Sequence, residues 1–295
     1  MSNVRAIARA APWILPWILG VAVFLIAPLG LSAYTSVMDH SLLDKPVYVG
    51  LSNYRQLLSD PLAGRAAWNT VVYTCLSVTL GTALSLSVAA LLGQGMRLSG
   101  LTRAVVFVPT LVPVVAAGLA WSWMLNTQNG PVNLLLGFLG VPAAARPDWL
   151  GSVGWAMGSV VMVSLWTVGS FVVIYSAAMR GVPASLYEAA MIDGAGPVRR
   201  FVSVTLPMIS PAIAFNTVMS VIWSLQAFAV PLVMTRGGPE DSTLTFGMHV
   251  YNSAFVFGRM GYASALAWVQ FAVTLAFVLV GLRLSRGLVH SREGV

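Results

Sequence analysis

Nine carboxylates, three histidines, one cysteine and one lysine are the first candidates in this chain for acid–base, nucleophilic or metal chemistry. Their spacing supports none of it. His40, His249 and His290 are scattered and form no HExxH or comparable ligand pattern. No two carboxylates pair within an apolar stretch, and Cys75 has no base near it in sequence. A phosphate-binding P-loop needs Gly-x4-Gly-Lys-Ser/Thr, and the single lysine, Lys45, stands in LLDKPV. No catalytic residue, metal ligand or cofactor is therefore expected in the chain itself. The stretch whose residue types do suggest a task is 188–211, EAAMIDGAGPVRRFVSVTLPMISP, a polar insert between two long apolar runs. Pro183 suits the first turn of a helix on which Leu186, Tyr187, Ala190 and Met191 share a face. Gly194 is placed to end that helix in the left-handed conformation, and Pro197 to begin a second short one. Pro207 then turns the chain into the next apolar run. Two short helices meeting at a glycine form a projecting knob that Ala189 and Ala190 let a partner approach closely. A loop lying flat on a membrane surface is the alternative.

The elements that hold this insert are apolar. Hydrophobic residues make up 58% of the 295 and charged residues only 8%, with a mean hydropathy of +0.82. Such a composition excludes a soluble globular domain. Charge-free stretches cover 10–38, 66–96, 104–145, 149–179, 201–235 and 260–282, and about 20 apolar residues suffice to cross a bilayer. The 104–145 stretch is interrupted by Asn126, Gln128, Asn129, Gly130 and Pro131, so it is read as one span followed by a loop that re-enters or lies at the interface. Six spanning helices are expected, near 13–36, 69–93, 104–125, 152–177, 207–234 and 262–284. Pro28 should bend the first, and Pro109 and Pro113 interrupt the third. Trp121 and Trp123 near the outer end of the third span suggest an interfacial belt. The first stretch is too long for the apolar region of a secretory signal and is read as an uncleaved anchor.

With six spans both termini share a side. That side carries ten of the sixteen basic residues, among them Arg5, Arg97, Arg180, Arg199, Arg200 and Arg283. Acidic residues divide the other way, with Asp39, Asp44, Asp60, Asp148, Glu240 and Asp241 on the far side. The bias places both termini and the 188–211 insert in the cytoplasm. The formal net charge of +7 reflects this topology and gives no support to nucleic-acid binding. No ionisable residue falls mid-span, which argues against a proton- or sodium-coupled carrier.

The insert resembles the EAA signature of importer-type ABC transporter permeases, in Glu188, Ala189, Ala190, Gly194, Val204, Leu206 and Pro207. LYEAAMIDGAG, GLSNY at 50–54 and the RGGP turn at 236–239 are similar to the sugar permeases of the maltose and glycerol-3-phosphate importer type, specifically the shorter relatives of the larger maltose permease. The resemblance implies an all-α integral membrane protein with six transmembrane helices and the type I ABC importer permease fold. It divides the chain into an N-terminal helix and external loop (1–65), a permease core (66–287, with the coupling loop at 180–207) and a basic cytoplasmic tail (288–295).

The partners it implies are a second homologous permease subunit, two ABC ATPase subunits that bind ATP and magnesium, an extracytoplasmic solute-binding protein and membrane lipid. The location it implies is a bacterial or archaeal plasma membrane. The same resemblance makes Glu188, Ala189, Ala190, Asp193, Gly194, Leu206 and Pro207 the residues coupling to the ATPase. It assigns solute contacts to Trp166, Gly169 and Phe171 in span 4 and to Ser220, Trp223, Ser224, Gln226 and Phe228 around span 5. Trp166 is expected to face Trp223. Aromatic faces stack on the C–H faces of a pyranose while hydroxyls and amides satisfy its OH groups, and a set without fixed charge favours a neutral sugar. The rivals are an ABC permease for glycerol-3-phosphate or another polar solute, and, from a different class, a membrane-embedded enzyme.

Overall fold

A computed structural model describes residues 2–41, 45–93 and 100–288. Asp44, Arg97, His290, Arg292 and Glu293, and all of the 288–295 tail except Leu288, lie outside the described residues. By internal contacts the chain divides into two units, Met1–Pro61 with Val250–Phe271, and Leu62–His249 with Ala272–Val295. Helices dominate both, because a long apolar chain in lipid must satisfy every backbone N–H and C=O within itself.

In the first unit, span 1 runs over Pro12–Ser36 with most of its residues exposed. At Pro28 the helix runs on unbroken to Ser36, and a wide, π-type turn at Ala22–Ile26 accommodates the missing proline N–H. A two-residue antiparallel ribbon follows, Met38–Asp39 against Val47–Tyr48. The GLSNY motif explains itself here. Gly50 turns at φ +57°, and the buried Asn53 donates from Nδ2 to the carbonyls of Ser36 and Met38 at 2.9 and 2.8 Å. The Tyr54 hydroxyl adds a bond to Ser36 Oγ at 2.8 Å. The helix Ser52–Ser59 is thereby tied to the end of span 1, whose last carbonyls have no partner within the helix. Span 6 (Met260–Arg283) begins against this turn. Gly261 donates to the His40 carbonyl, a Cβ there would run into the Met38 carbonyl, and Tyr262 donates to Asp60 Oδ2 at 2.6 Å.

In the second unit, span 2 (Pro61–Leu92) is a continuous helix that begins about two turns earlier than the apolar run suggests. The extra turns are used, since Arg65 and Asn69 bond the 240–244 turn. Spans 3, 4 and 5 are broken rather than continuous. Span 3 consists of Ala104–Leu111 and Val114–Met124, 106° apart, and span 4 of Val153–Trp166 and Gly169–Arg180, 48° apart. Span 5 consists of Pro197–Met208 and Ser210–Leu225, 73° apart, with a further helix Ala229–Met234 beyond a second break at 226–228. The turn expected at Pro207 therefore falls at Ile209. The missing N–H of Pro207 is absorbed by a π-type turn at Phe201–Thr205, so the helix runs through the proline before it bends.

Two apolar clusters hold the broken spans. One gathers Tyr73, Ala117, Val160, Val163 and Met234; the other gathers Ala89, Val172 and Tyr175 with Phe171 and Ala212. Tyr73 and Ala89 belong to the same helix and are ~24 Å apart along its axis at 1.5 Å per residue. The first half of span 4 packs in one cluster and the second half in the other, so its break falls between them. Gly81 marks the place, midway between Tyr73 and Ala89, where a Cβ would touch Val168 at 3.6 Å.

Candidate functional site

Three helix breaks converge on this level of the second unit. Gly169, which opens the second half of span 4, packs on the break of span 3 so closely that a Cβ would collide with the Val106 carbonyl oxygen and stand 2.9 Å from Thr110 Cγ2. Span 5 arrives through Trp223, whose ring stacks on Phe171 with centroids 5.6 Å apart and an interplanar angle of 26°. Broken backbone is tolerated at membrane depth only where its polar groups find partners or line a cavity. Threonines supply partners at all three. Thr110 donates to the Phe107 carbonyl at 2.6 Å, Thr167 to the Ser164 carbonyl at 3.1 Å, and Thr245 to the Ala227 carbonyl at 2.6 Å.

The side chains assigned to solute contact are distributed unevenly around these breaks. Trp223 is 56% exposed, and Trp166 and Phe228 are 38% and 39% exposed. Gln226 is exposed at the C-terminal cap of Ser210–Leu225. Phe171 is half-buried under Trp223. Gly169 is buried and serves helix approach. Ser224 is buried and turns its hydroxyl back to the Ser220 carbonyl at 2.7 Å, while Ser220 is half-buried. The aromatic partner of Trp166 is not Trp223 but Trp121, edge-on at 6.1 Å and 73°. Trp121 is half-buried beside the break of span 4, whereas Trp123 is 66% exposed. Thr167, Thr245 and Gly247 also border the breaks, and in an apolar run threonine and glycine carry no distinguishing pattern.

The polar insert forms the knob its spacing suggests. Pro183 immediately precedes the helix Ala184–Ile192, and Gly194 ends it at φ +73°. Ala195 N–H reaches back to the Ala190 carbonyl at 2.9 Å and Gly194 N–H to Met191 at 3.0 Å, closing the helix in a Schellman-like turn. Pro197 begins the return helix. Glu188, Ala189, Asp193 and Gly194 are exposed, Ala190 is partly covered, and Leu206 and Pro207 are half-buried. The Tyr187 and Thr205 hydroxyls meet at 2.9 Å and tie the two arms of the loop together. At its tip Ile192 is 88% and Val198 77% exposed, with Met191 at 51%.

Comparison with known proteins places these features in a family. The chain is 33% identical over 269 residues to the sulfoquinovosyl glycerol transport system permease protein of Agrobacterium fabrum, covering 90% of this chain and 86% of that one. It is 32% identical over 275 residues to the trehalose/maltose transport system permease protein of Thermococcus litoralis, with 92% of each covered. It is 30% identical over 293 residues to the sn-glycerol-3-phosphate transport system permease protein of Pectobacterium atrosepticum, with 96% and 97% covered. The fold matches a chain in the crystal structure of a bacterial alginate ABC transporter in complex with an alginate pentasaccharide-bound periplasmic protein, at TM-score 0.85 and 21% identity over 98% of each chain. Residues 81–291 match the family model of the binding-protein-dependent transport system inner membrane component. With the broken spans and the EAA knob in place, this multi-pass chain belongs to that family and is the permease subunit of an ABC importer.

Proposed function

We propose that this chain moves a neutral sugar between its broken spans, paired with a second related permease subunit. Two ATPase chains bind ATP with its magnesium and carry out the hydrolysis that this chain has no P-loop to perform, and one of them grips the 180–207 knob. An external binding protein delivers the solute, and both termini lie in the cytoplasm, as the arginine bias requires. The observation that carries the sugar reading is the Phe171–Trp223 stack. It is a flat aromatic surface, half open, beside the break that bears Gln226 and Phe228. The relative named for trehalose/maltose agrees with a neutral sugar, whereas the one named for sulfoquinovosyl glycerol shares the pyranose ring but adds a sulfonate, which, like a phosphate, is an anion. The relative named for sn-glycerol-3-phosphate favours a phosphorylated solute less here, because a phosphate calls for a cation and the gathered set holds none.

Uptake of radiolabelled sugars by cells producing the complex tests the reading. Losing an aromatic partner typically costs on the order of 1 kcal/mol, so Trp223→Ala should lower uptake several-fold at unchanged complex yield. Trp223→Leu should not restore it, since leucine fills space without a flat face. Full recovery with leucine would reduce Trp223 to a packing residue.

A further inference from the structure

The segment that follows span 5 is held in an unusual way. Arg236, Glu240 and Asp241 have φ of +52°, +49° and +55°, and they are the non-glycine residues with positive φ among the described residues. Backbone of this kind persists only where its surroundings over-determine it. Here the surroundings are side chains of span 2. Arg65 donates to the Glu240 carbonyl at 3.0 Å, Asn69 to those of Asp241 and Leu244 at 2.7 and 3.0 Å, and the Phe246 N–H donates to Thr70 Oγ1 at 2.8 Å. Within the segment the Thr235 and Thr243 hydroxyls meet at 2.6 Å.

The far end of the same segment reaches the solute region. Thr245, fully buried, donates to the carbonyl of Ala227, which sits in the break between Ser210–Leu225 and Ala229–Met234. Gly247 lies so close to that break that a Cβ would stand 3.3 Å from the Gln226 and Ala227 carbonyl oxygens and 3.4 Å from Phe228 Cβ. We infer that residues 235–247 are a clamp, fastened to span 2, that fixes the span-5 break, with Thr245 and Gly247 as the positioning residues for Gln226 and Phe228. The placement of these two is thus governed by span 2 as much as by span 5. The inference rests on the proposed solute site, and it assigns to an outer turn the task of holding that site in shape.

Hydrogen exchange on the purified complex tests the clamp directly, and sugar uptake tests what the clamp serves. Thr245→Val keeps the shape of the side chain and removes its donor, leaving a buried carbonyl unsatisfied. Exchange across residues 226–232 should then rise about ten- to a hundredfold while the other spans keep their wild-type rates. Thr245→Ser, which keeps the hydroxyl, should behave as wild type. Uptake of whichever of radiolabelled maltose, trehalose or glucose the wild type carries should fall several-fold in Thr245→Val and in Gly247→Ala, the second serving where the first fails to assemble. Wild-type exchange across 226–232 in Thr245→Val, or a rise spread equally over all spans, overturns the clamp. So does local loosening with unchanged uptake. Trp223→Ala, measured alongside, separates the two ideas. If it leaves uptake intact while Thr245→Val lowers it, the stacking role fails and the clamp stands. A wild type that carries none of the three sugars counts against the carbohydrate reading, and the exchange rates then decide the clamp.

Discussion

Gly169 and Gly194 are required for opposite reasons. At Gly169 the backbone conformation is ordinary and space is lacking, because a Cβ would meet the backbone of Val106 and Phe107. At Gly194 nothing lies within 4 Å, and it is the φ of +73° that excludes a side chain. The two therefore fail differently. Gly169→Ala should cost about 1–3 kcal/mol, as overpacking does, and show as lower complex yield and a lower melting temperature. Gly194→Val should leave insertion and melting of the spans near wild type, while ATP hydrolysis by the assembled complex no longer drives transport. Wild-type transport in the valine variant would remove the knob from the coupling path. Gly194 was legible in the sequence because a helix stop is local, set by Ala184–Ile192 before it and Pro197 after it. Gly169 was not, because its constraint comes from a span distant in sequence.

The spans themselves show the same division. The break of span 3 was readable from Pro109 and Pro113, and the two-helix form of the insert from Pro183, Gly194 and Pro197. The break of span 4 at Thr167–Val168 has no proline to announce it, whereas the 226–228 break of span 5 lies one turn before Pro231, whose missing N–H leaves the Ala227 carbonyl to Thr245. The span-4 break arises because the half-helices on each side pack into different clusters, and such a tertiary cause leaves no mark on local periodicity. The candidate site was accordingly legible as a set of aromatic residues and illegible as a geometry, which pairs Trp223 with Phe171 and Trp166 with Trp121. Between these elements the Tyr187–Thr205 bond joins the helix Ala184–Ile192 to the return segment that leads into span 5. Tyr187→Phe and Thr205→Val each delete one hydroxyl and change little else. Each should lower the transport obtained per ATP hydrolysed, and the double variant should be no worse than the singles, since all three lack the same bond, worth about 1 kcal/mol. Additive losses in the double-variant cycle would show that the hydroxyls act separately.

For the molecule as a whole, the arginine bias makes the most exacting forecast, because it fixes every loop at once. If each of the three bent helix pairs is one span, six crossings bring the chain back to the side on which it began. Residues 39–65 and 126–152 then face outward, and the 180–206 knob faces the cytoplasm. Exposed positions exist on both sides for single cysteines in a Cys75→Ser background: Arg55 and Ala144 in the outer segments, Arg199 in the knob. In intact cells whose outer barrier, if present, has been made permeable, a membrane-impermeant maleimide should label Arg55→Cys and Ala144→Cys. Arg199→Cys should react only after the membrane itself is opened. Arg199 labelled in intact cells, with the other two silent, would invert the topology and remove the knob from any cytoplasmic ATPase. Labelling of Arg55 without Ala144 would instead mean that the 106° turn within span 3 is a re-entrant loop, so that the chain crosses five times and its termini lie on opposite sides. The two outer positions thus decide whether span 3 crosses the membrane, and Arg199 decides which way the whole chain faces.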